Sequence, residues 1–174
     1  MVRKLIGKVL ETLTISSLRR SIEARIPIKG YILDNGSGYK GSWDYNNRED
    51  VASIDKLYGD DCTNLPFKND EFDMVVFSGV IQYVEDYEKA LKEIYRVLRR
   101  DGLFLITTIN RNSLLRNFGL ITKKPKIGES QLFSSEEIEE LLQKHNFKIM
   151  EKWGASFIPI TFELCSNICY ICKK

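Results

Sequence analysis

From residue 30 onward the hydrophobic period of this chain switches repeatedly between a strand-like alternation and a helical one, and that exchange limits the folds open to it. The run FDMVVFS (72–78) is apolar almost without interruption, as a strand covered on both faces must be. GYILD (30–34), DVASID (50–55) and GLFLITTI (102–109) read as further strands. Between them, EDYEKALKEIYRVLRR (85–100) sets Tyr87, Leu91, Ile94, Tyr95 and Leu98 on one helical stripe, with Asp101–Gly102 as its stop. SSEEIEELLQKH (134–145) opens with the capping pattern Ser134-x-x-Glu137 and carries Ile138, Leu141 and Leu142 on one side. FKIMEKWG (147–154) and NICYICK (167–173) read as the last strands, and residues 110–130, with Arg111, Arg116, Lys123, Lys124, Pro125 and Lys126, as a loop or lid. This alternation predicts an α/β fold: a doubly wound, mostly parallel sheet with helices on both faces. Ligands of such sheets sit outside the carboxyl ends of the strands, which places the loop after Asp34, Asp55, Asp61 and Ser78 on one rim.

Length and charge narrow the function classes. At 174 residues the chain is large enough for one domain with a real core, and 43% hydrophobic with 29% charged residues is ordinary globular composition. Residues 1–30 hold seven Lys and Arg against two Glu, whereas residues 31–100 hold nine against fourteen Asp and Glu. An acidic middle argues against a nucleic-acid footprint. The basic start places Val2, Leu5, Ile6, Val9, Leu10 and Leu13 at helical spacing, so residues 1–29 read as an amphipathic arm or lid ahead of a domain over 30–174. Such an arm packs on the domain's own surface or, as the alternative, makes a peripheral membrane contact. No apolar stretch of membrane-spanning length and no secretory leader pattern is present, so a cytoplasmic location is expected.

Two motifs invite chemistry. In YILDNGSGYKG (31–41) an apolar strand ends in an acid and is followed by Gly36, Gly38 and Gly41, a turn through which backbone can pass close to a ligand. Asp55 closes the next strand, at the separation from which a carboxylate reaches the hydroxyls of a ribose. Near the end, Cys165, Cys169 and Cys172 spell C-x3-C-x2-C, the spacing that holds an iron–sulfur cluster in radical S-adenosylmethionine enzymes. The same residues alternate as a strand, with Ile168, Tyr170 and Cys172 on one face and Cys169 and Ile171 on the other, which would keep the thiolates apart.

Taken in order, the segments resemble a class I S-adenosylmethionine-dependent methyltransferase of the small-molecule, type 11 group. ILDNGSG resembles the family's L-D-x-G-C-G-x-G motif. DCTNLPF with FDMVVFSGVIQYV, ALKEIYRVLRRDG, and LFSSEEIEELLQKHNFKIMEK resemble its later segments, so the likeness covers about residues 30–153. The resemblance implies S-adenosyl-L-methionine as cofactor. Asp34 would orient the methionyl amine, Gly36 and Gly38 would let the backbone pass beneath the ligand, and Tyr39 would contact its methionine part. Asp55 would take the ribose, Asp61 the adenine amino group, the Cys62 amide the ring edge, and Ser78 would stand at the end of the fourth family strand.

The departures are equally specific. Asn35 and Ser37 replace the family's Ile/Val and Cys, and Lys40 stands where a third glycine is expected. Only five residues separate Asp55 from Asp61, where the family fits a helix and a strand, so one helix–strand unit is expected to be missing after the second strand. Gln82 and Tyr83 stand where some quinone-modifying relatives have Glu and His, so no metal is expected. His145 reads as a solvated late-helix residue and a poor base. The expected activity is methyl transfer to a small or lipid-like acceptor, with no catalytic residue assigned. The alternative is a catalytically degenerate methyltransferase-fold binding or partner subunit, and for either reading a homodimer or a partner that completes the pocket is an expected assembly.

Overall fold

The computed structural model describes residues 18, 20–22, 24–25, 29–36, 49–56, 59–118, 131–155 and 161–174. Gly38, Tyr39 and the stretch 41–48 lie outside the described residues. The elements in chain order are β1 (Ile32–Asn35), β2 (Val51–Ile54), β3 (Phe72–Ser78), α1 (Tyr87–Val97), β4 (Leu98–Ile109), α2 (Leu114–Asn117), α3 (Ser135–Lys144), β5 (Lys148–Ala155) and β6 (Asn167–Lys173). They form one six-stranded sheet of order β2-β1-β3-β4-β6-β5. The pairs from β2 to β4 are parallel, and β6 runs antiparallel to both β4 and β5. No strand forms in the described residues between β2 and β3, so β2 is an outer strand, as the short Asp55–Asp61 spacing predicts.

Burial explains the strands. All four residues of β1 are buried, as an interior parallel strand requires. On one face Leu33, Val75, Phe77, Phe104 and Ile106 pack with Leu91, Ile94 and Val97 of α1 and Ile138 and Leu142 of α3. On the other, Ile32, Met74, Val76, Leu105 and Trp153 pack with Leu18 and Ile22 of the arm. The Trp153 indole N–H donates to Ser21 Oγ at 3.0 Å and the Arg25 guanidinium stacks over the ring at 5.2 Å. The arm residues described here therefore pack on the sheet.

Three expectations need correction. The helix over 85–100 is shorter, Tyr87–Val97, because the fully buried Leu98 turns into extended backbone and pairs with Phe72. Asp101, at φ 62, and Gly102 belong to the irregular start of β4; a Cβ on Gly102 would stand 2.8 Å from the Arg99 carbonyl oxygen. The 110–130 stretch contains a short helix, α2, whose N-cap Ser113 accepts from Arg116 N.

The third concerns His145, which is buried rather than solvated. It caps α3, and Asn146 adopts φ 63, so that Asn146 N donates to Gln143 O and Phe147 N to Leu142 O. This helix-ending turn folds Phe147 into the core and takes His145 inward with it. Burial lowers the imidazole's pKa below its ordinary value; Glu88 opposes that shift, while Lys144 and Lys92 add to it. The unfolded chain then binds a proton that the folded chain resists. Stability from this group is complete above the unfolded value, about 6.5, and is lost as pH falls toward the folded one. Thermal midpoints at pH 7.5 and 5.5 should show a larger drop for the native chain than for His145→Gln; equal drops would refute the burial argument.

Candidate functional site

Parallel strand direction brings Asp34 and Ser78 to one edge of the sheet. Register places Asp34 beside Ser53 and Val76, and Ser78 beside Thr107, so β1 to β4 end along one rim. Asp34 is 1% exposed, on the sheet face that carries Ile32. The chain turns directly after it. Gly36 N donates to Ile54 O at 2.8 Å, and Gly36 adopts φ 98, a conformation that side chains disfavour. A Cβ there would lie 2.2 Å from Val80 Cγ2, so the turn is packed directly against the loop after β3.

That second loop opens at Gly79, φ 69, whose N–H donates to Thr107 O at 2.9 Å. Beside it the Ser78 and Thr107 hydroxyls share a hydrogen bond of 2.9 Å. The buried Gln82 accepts from Thr108 Oγ1 at 3.0 Å through its side chain and from Gln131 N at 2.9 Å through its carbonyl. The 79–84 turn is thus tied both to β4 and to Gln131, and Tyr83 within it is 39% exposed. Gln82 and Gly79 were not among the sequence-predicted site residues, although a glycine directly after a strand end is the signal that marks such a turn.

At β2 the backbone closes tightly after Ile54. Asp55 N donates to Asp60 Oδ2 at 2.9 Å and Asp60 N to Asp55 O at 3.3 Å. Asp61 is exposed, and its carboxylate accepts from Thr63 N at 2.8 Å and Thr63 Oγ1 at 3.0 Å, bonds that hold its pKa below the ordinary value. Cys62 packs against the core, and burial pushes its thiol up to about 11, so it stays protonated and is no nucleophile. The loop is anchored from below by Arg96 of α1, which sequence reading assigned no role. Its guanidinium donates to the carbonyls of Leu65 and Phe67, at 3.0 and 2.7 Å. A cleft of about 530 Å³ opens between the start of α1 and α3, walled by Tyr87, Leu132, Phe133 and Leu141 together with the charged Glu140 and Lys144, with Arg111 bonded to Glu137.

The terminal cysteines do not converge. Cys172 belongs to the core under α1 and α3, while Cys169 faces the opposite core, as strand alternation predicts. The Cys165 sulfur lies 2.9 Å from the carbonyl oxygens of Phe162 and Asn167. Burial pushes the Cys172 thiol up to about 12 and the Cys169 thiol well above its ordinary value. One cluster cannot span two faces of a sheet, so the iron–sulfur reading falls; among the described residues no three His, Cys, Asp or Glu side chains are grouped to hold a metal.

Comparisons with known proteins agree with this architecture. A family model described as "Methyltransferase domain" matches residues 42–106, beginning just past the glycine loop. An uncharacterized protein of Methanocaldococcus jannaschii is 33% identical over 87 residues, covering 49% of this chain and 42% of that protein. The ubiquinone/menaquinone biosynthesis C-methyltransferase of Haemophilus ducreyi is 39% identical over 70 residues, covering 37% of this chain and 27% of that enzyme. The chain spans less than half the length of such curated relatives. Among solved structures, the Burkholderia thailandensis 1,6-didemethyltoxoflavin-N1-methyltransferase, bound to its substrate and S-adenosylhomocysteine, superposes with a TM-score of 0.66 at 16% identity, over 92% of this chain and 78% of that one. The chain thus has the fold of S-adenosylmethionine-dependent methyltransferases, in a six-stranded form, and is similar to a methyltransferase domain over residues 42–106.

Proposed function

We propose that the chain binds S-adenosylmethionine at the carboxyl rim of β1–β4 and directs its methyl group to a small, partly apolar acceptor. The observation that carries this reading is the buried strand-end carboxylate of Asp34 followed directly by the Gly36 turn, in which no side chain fits against Val80. The charge also suits the ligand: its sulfonium and ammonium groups are cationic, and Asp34, Asp55, Asp60 and Asp61 end or follow the strands at this edge. Asp34 would hold the methionyl amine, with Gly36, Gly38 and Tyr39 along the methionine part and Ser78 beside it. Asp55 would take the ribose, and Asp61 with the Cys62 amide the adenine. Asp61 would have to share its Thr63 bonds to do so.

When bound, the cofactor supplies an electrophilic methyl group on sulfur. The protein's part is then in-line positioning of the acceptor, for which a general base is optional. His145 is buried at the end of α3, remote from that task, and Gln82 presents an amide bonded to Thr108. The exposed Tyr83 in the turn after β3 supports an acceptor with apolar surface, as do relatives named for quinone biosynthesis. Residues 1–29 would act as an arm on the 30–174 domain.

Calorimetry with S-adenosylhomocysteine tests the first half. Saturable binding at one site per chain is expected, and absence of heat at millimolar ligand overturns the reading. Methyl transfer from labelled cofactor to phenolic and quinol acceptors tests the second. Tight cofactor binding with no transfer to any acceptor would favour the non-catalytic binding subunit, a reading that the altered glycine loop and missing helix–strand unit make specific.

A further inference from the structure

Asn35 lies between Asp34 and Gly36 at the end of β1 and is 2% exposed. Among the described residues its side-chain nitrogen, Nδ2, has no hydrogen-bond partner. Alternation along β1 puts it on the face of Leu33, and its register partner is Ile54; both belong to the core that packs under α1 and α3. Nothing in the folding of that core calls for an amide. A buried donor without a partner is destabilising, and an apolar side chain of the same shape would remove the penalty. Persisting penalties of this kind gather where a ligand is to be met.

The surroundings say which part of the ligand. The core that holds Leu33 and Ile54 also takes in Cys62 and Leu65 of the 61–65 loop and Val80 and Ile81 of the turn after β3, and Val80 packs on Gly36 beside Asn35. We propose that Asn35 is a cofactor-binding residue, its Nδ2 donating to an acceptor atom on the purine-bearing side of the ligand that enters between those two loops. This rests on the reading that the cofactor binds at the rim. The free protein then carries an unmatched donor that the bound state satisfies.

Asn35→Leu, which keeps the branched shape and removes the amide, tests it, with the smaller Asn35→Val in case leucine overfills the site. The ligand-free variant should melt higher than the native chain. Its affinity for S-adenosylhomocysteine, and for adenosine alone, should fall by roughly three- to tenfold, the worth of one neutral hydrogen bond. Opposite signs in the two measurements are what a merely structural asparagine cannot give. If the native chain binds S-adenosylhomocysteine and both variants bind it equally well, the assignment of Asn35 is overturned while the cofactor site stands. A loss for S-adenosylhomocysteine but none for adenosine overturns the purine assignment. Failure of the native chain to bind removes the cofactor reading itself.

Discussion

Arg96→Ala should lower the thermal midpoint by roughly 5–12 °C, the equivalent of about 2–4 kcal/mol in a domain of this size. The side chain is a clamp between α1 and the loop that leads into β3. Its Nε and Nη2 donate to the two oxygens of Glu93, each at 2.7 Å, a paired fork that lysine cannot reproduce. The remaining donors reach the carbonyls of Leu65 and Phe67 and the side-chain oxygen of Asn69. Glu93 in turn accepts from Leu65 N at 2.9 Å, so the pair closes a ring of bonds around one loop residue. Truncation leaves two carbonyls and a carboxylate without their partner, and such unmatched groups outweigh the bonds themselves. Because Arg96 holds the Glu93 carboxyl below its ordinary value, the native advantage is present above the unfolded carboxylate range and fades as pH falls through the folded value. Asp61 and Cys62 begin the same loop, so S-adenosylhomocysteine affinity should fall about tenfold, a loss of one to two loop contacts. Arg96→Lys should retain part of the stability. Hydrogen exchange across 61–69 measures the effect directly. A midpoint within 2 °C of native, with unchanged exchange, would show that α1 holds the loop by packing alone.

What the sequence made legible, and what it hid, follows one physical division. β3 and β6 were readable because burial forces long apolar or alternating runs, and β6 runs Asn167–Lys173 as expected. The α3 start was readable because its capping box is local: Ser134 and Glu137 each bond the other's backbone. The end of α1 was not, because Leu98 obeys the helical stripe and yet is claimed by Phe72 of β3, a tertiary demand with no local trace. His145 misled for a similar reason: a polar residue late on a helix is usually wet, and only the left-handed turn at Asn146 brings it in. At the site, the strand ends gave Asp34, Asp55 and Ser78 their places on the rim. Arg96 and Gln82 escaped because their roles are bonds to backbone far along the chain, which residue type alone does not announce.

Gly36→Ala should cost about 2–4 kcal/mol and lower S-adenosylhomocysteine affinity by more than tenfold. Two costs combine. At φ 98 any side chain strains the backbone. The new methyl would also meet Val80 Cγ2 at 2.2 Å, and a β-branched side chain has few rotamers in which to retreat. Part of the damage is therefore separable. In Gly36→Ala/Val80→Ala the colliding γ carbons are gone and the nearest remaining valine atom is Cβ at 3.3 Å, a contact that a small shift relieves. The double variant should be more stable than the sum of the single losses by about 1–2 kcal/mol, as expected for residues in direct conflict. Affinity should not return with it. The torsional cost at residue 36 still displaces the turn that carries Asp34 and Asn35 to the rim, and Val80→Ala does nothing to restore that path. Full recovery of binding in the double variant would mean that Gly36 serves only the fit to Val80. Stability that recovers while affinity stays lost would tie the glycine to the ligand.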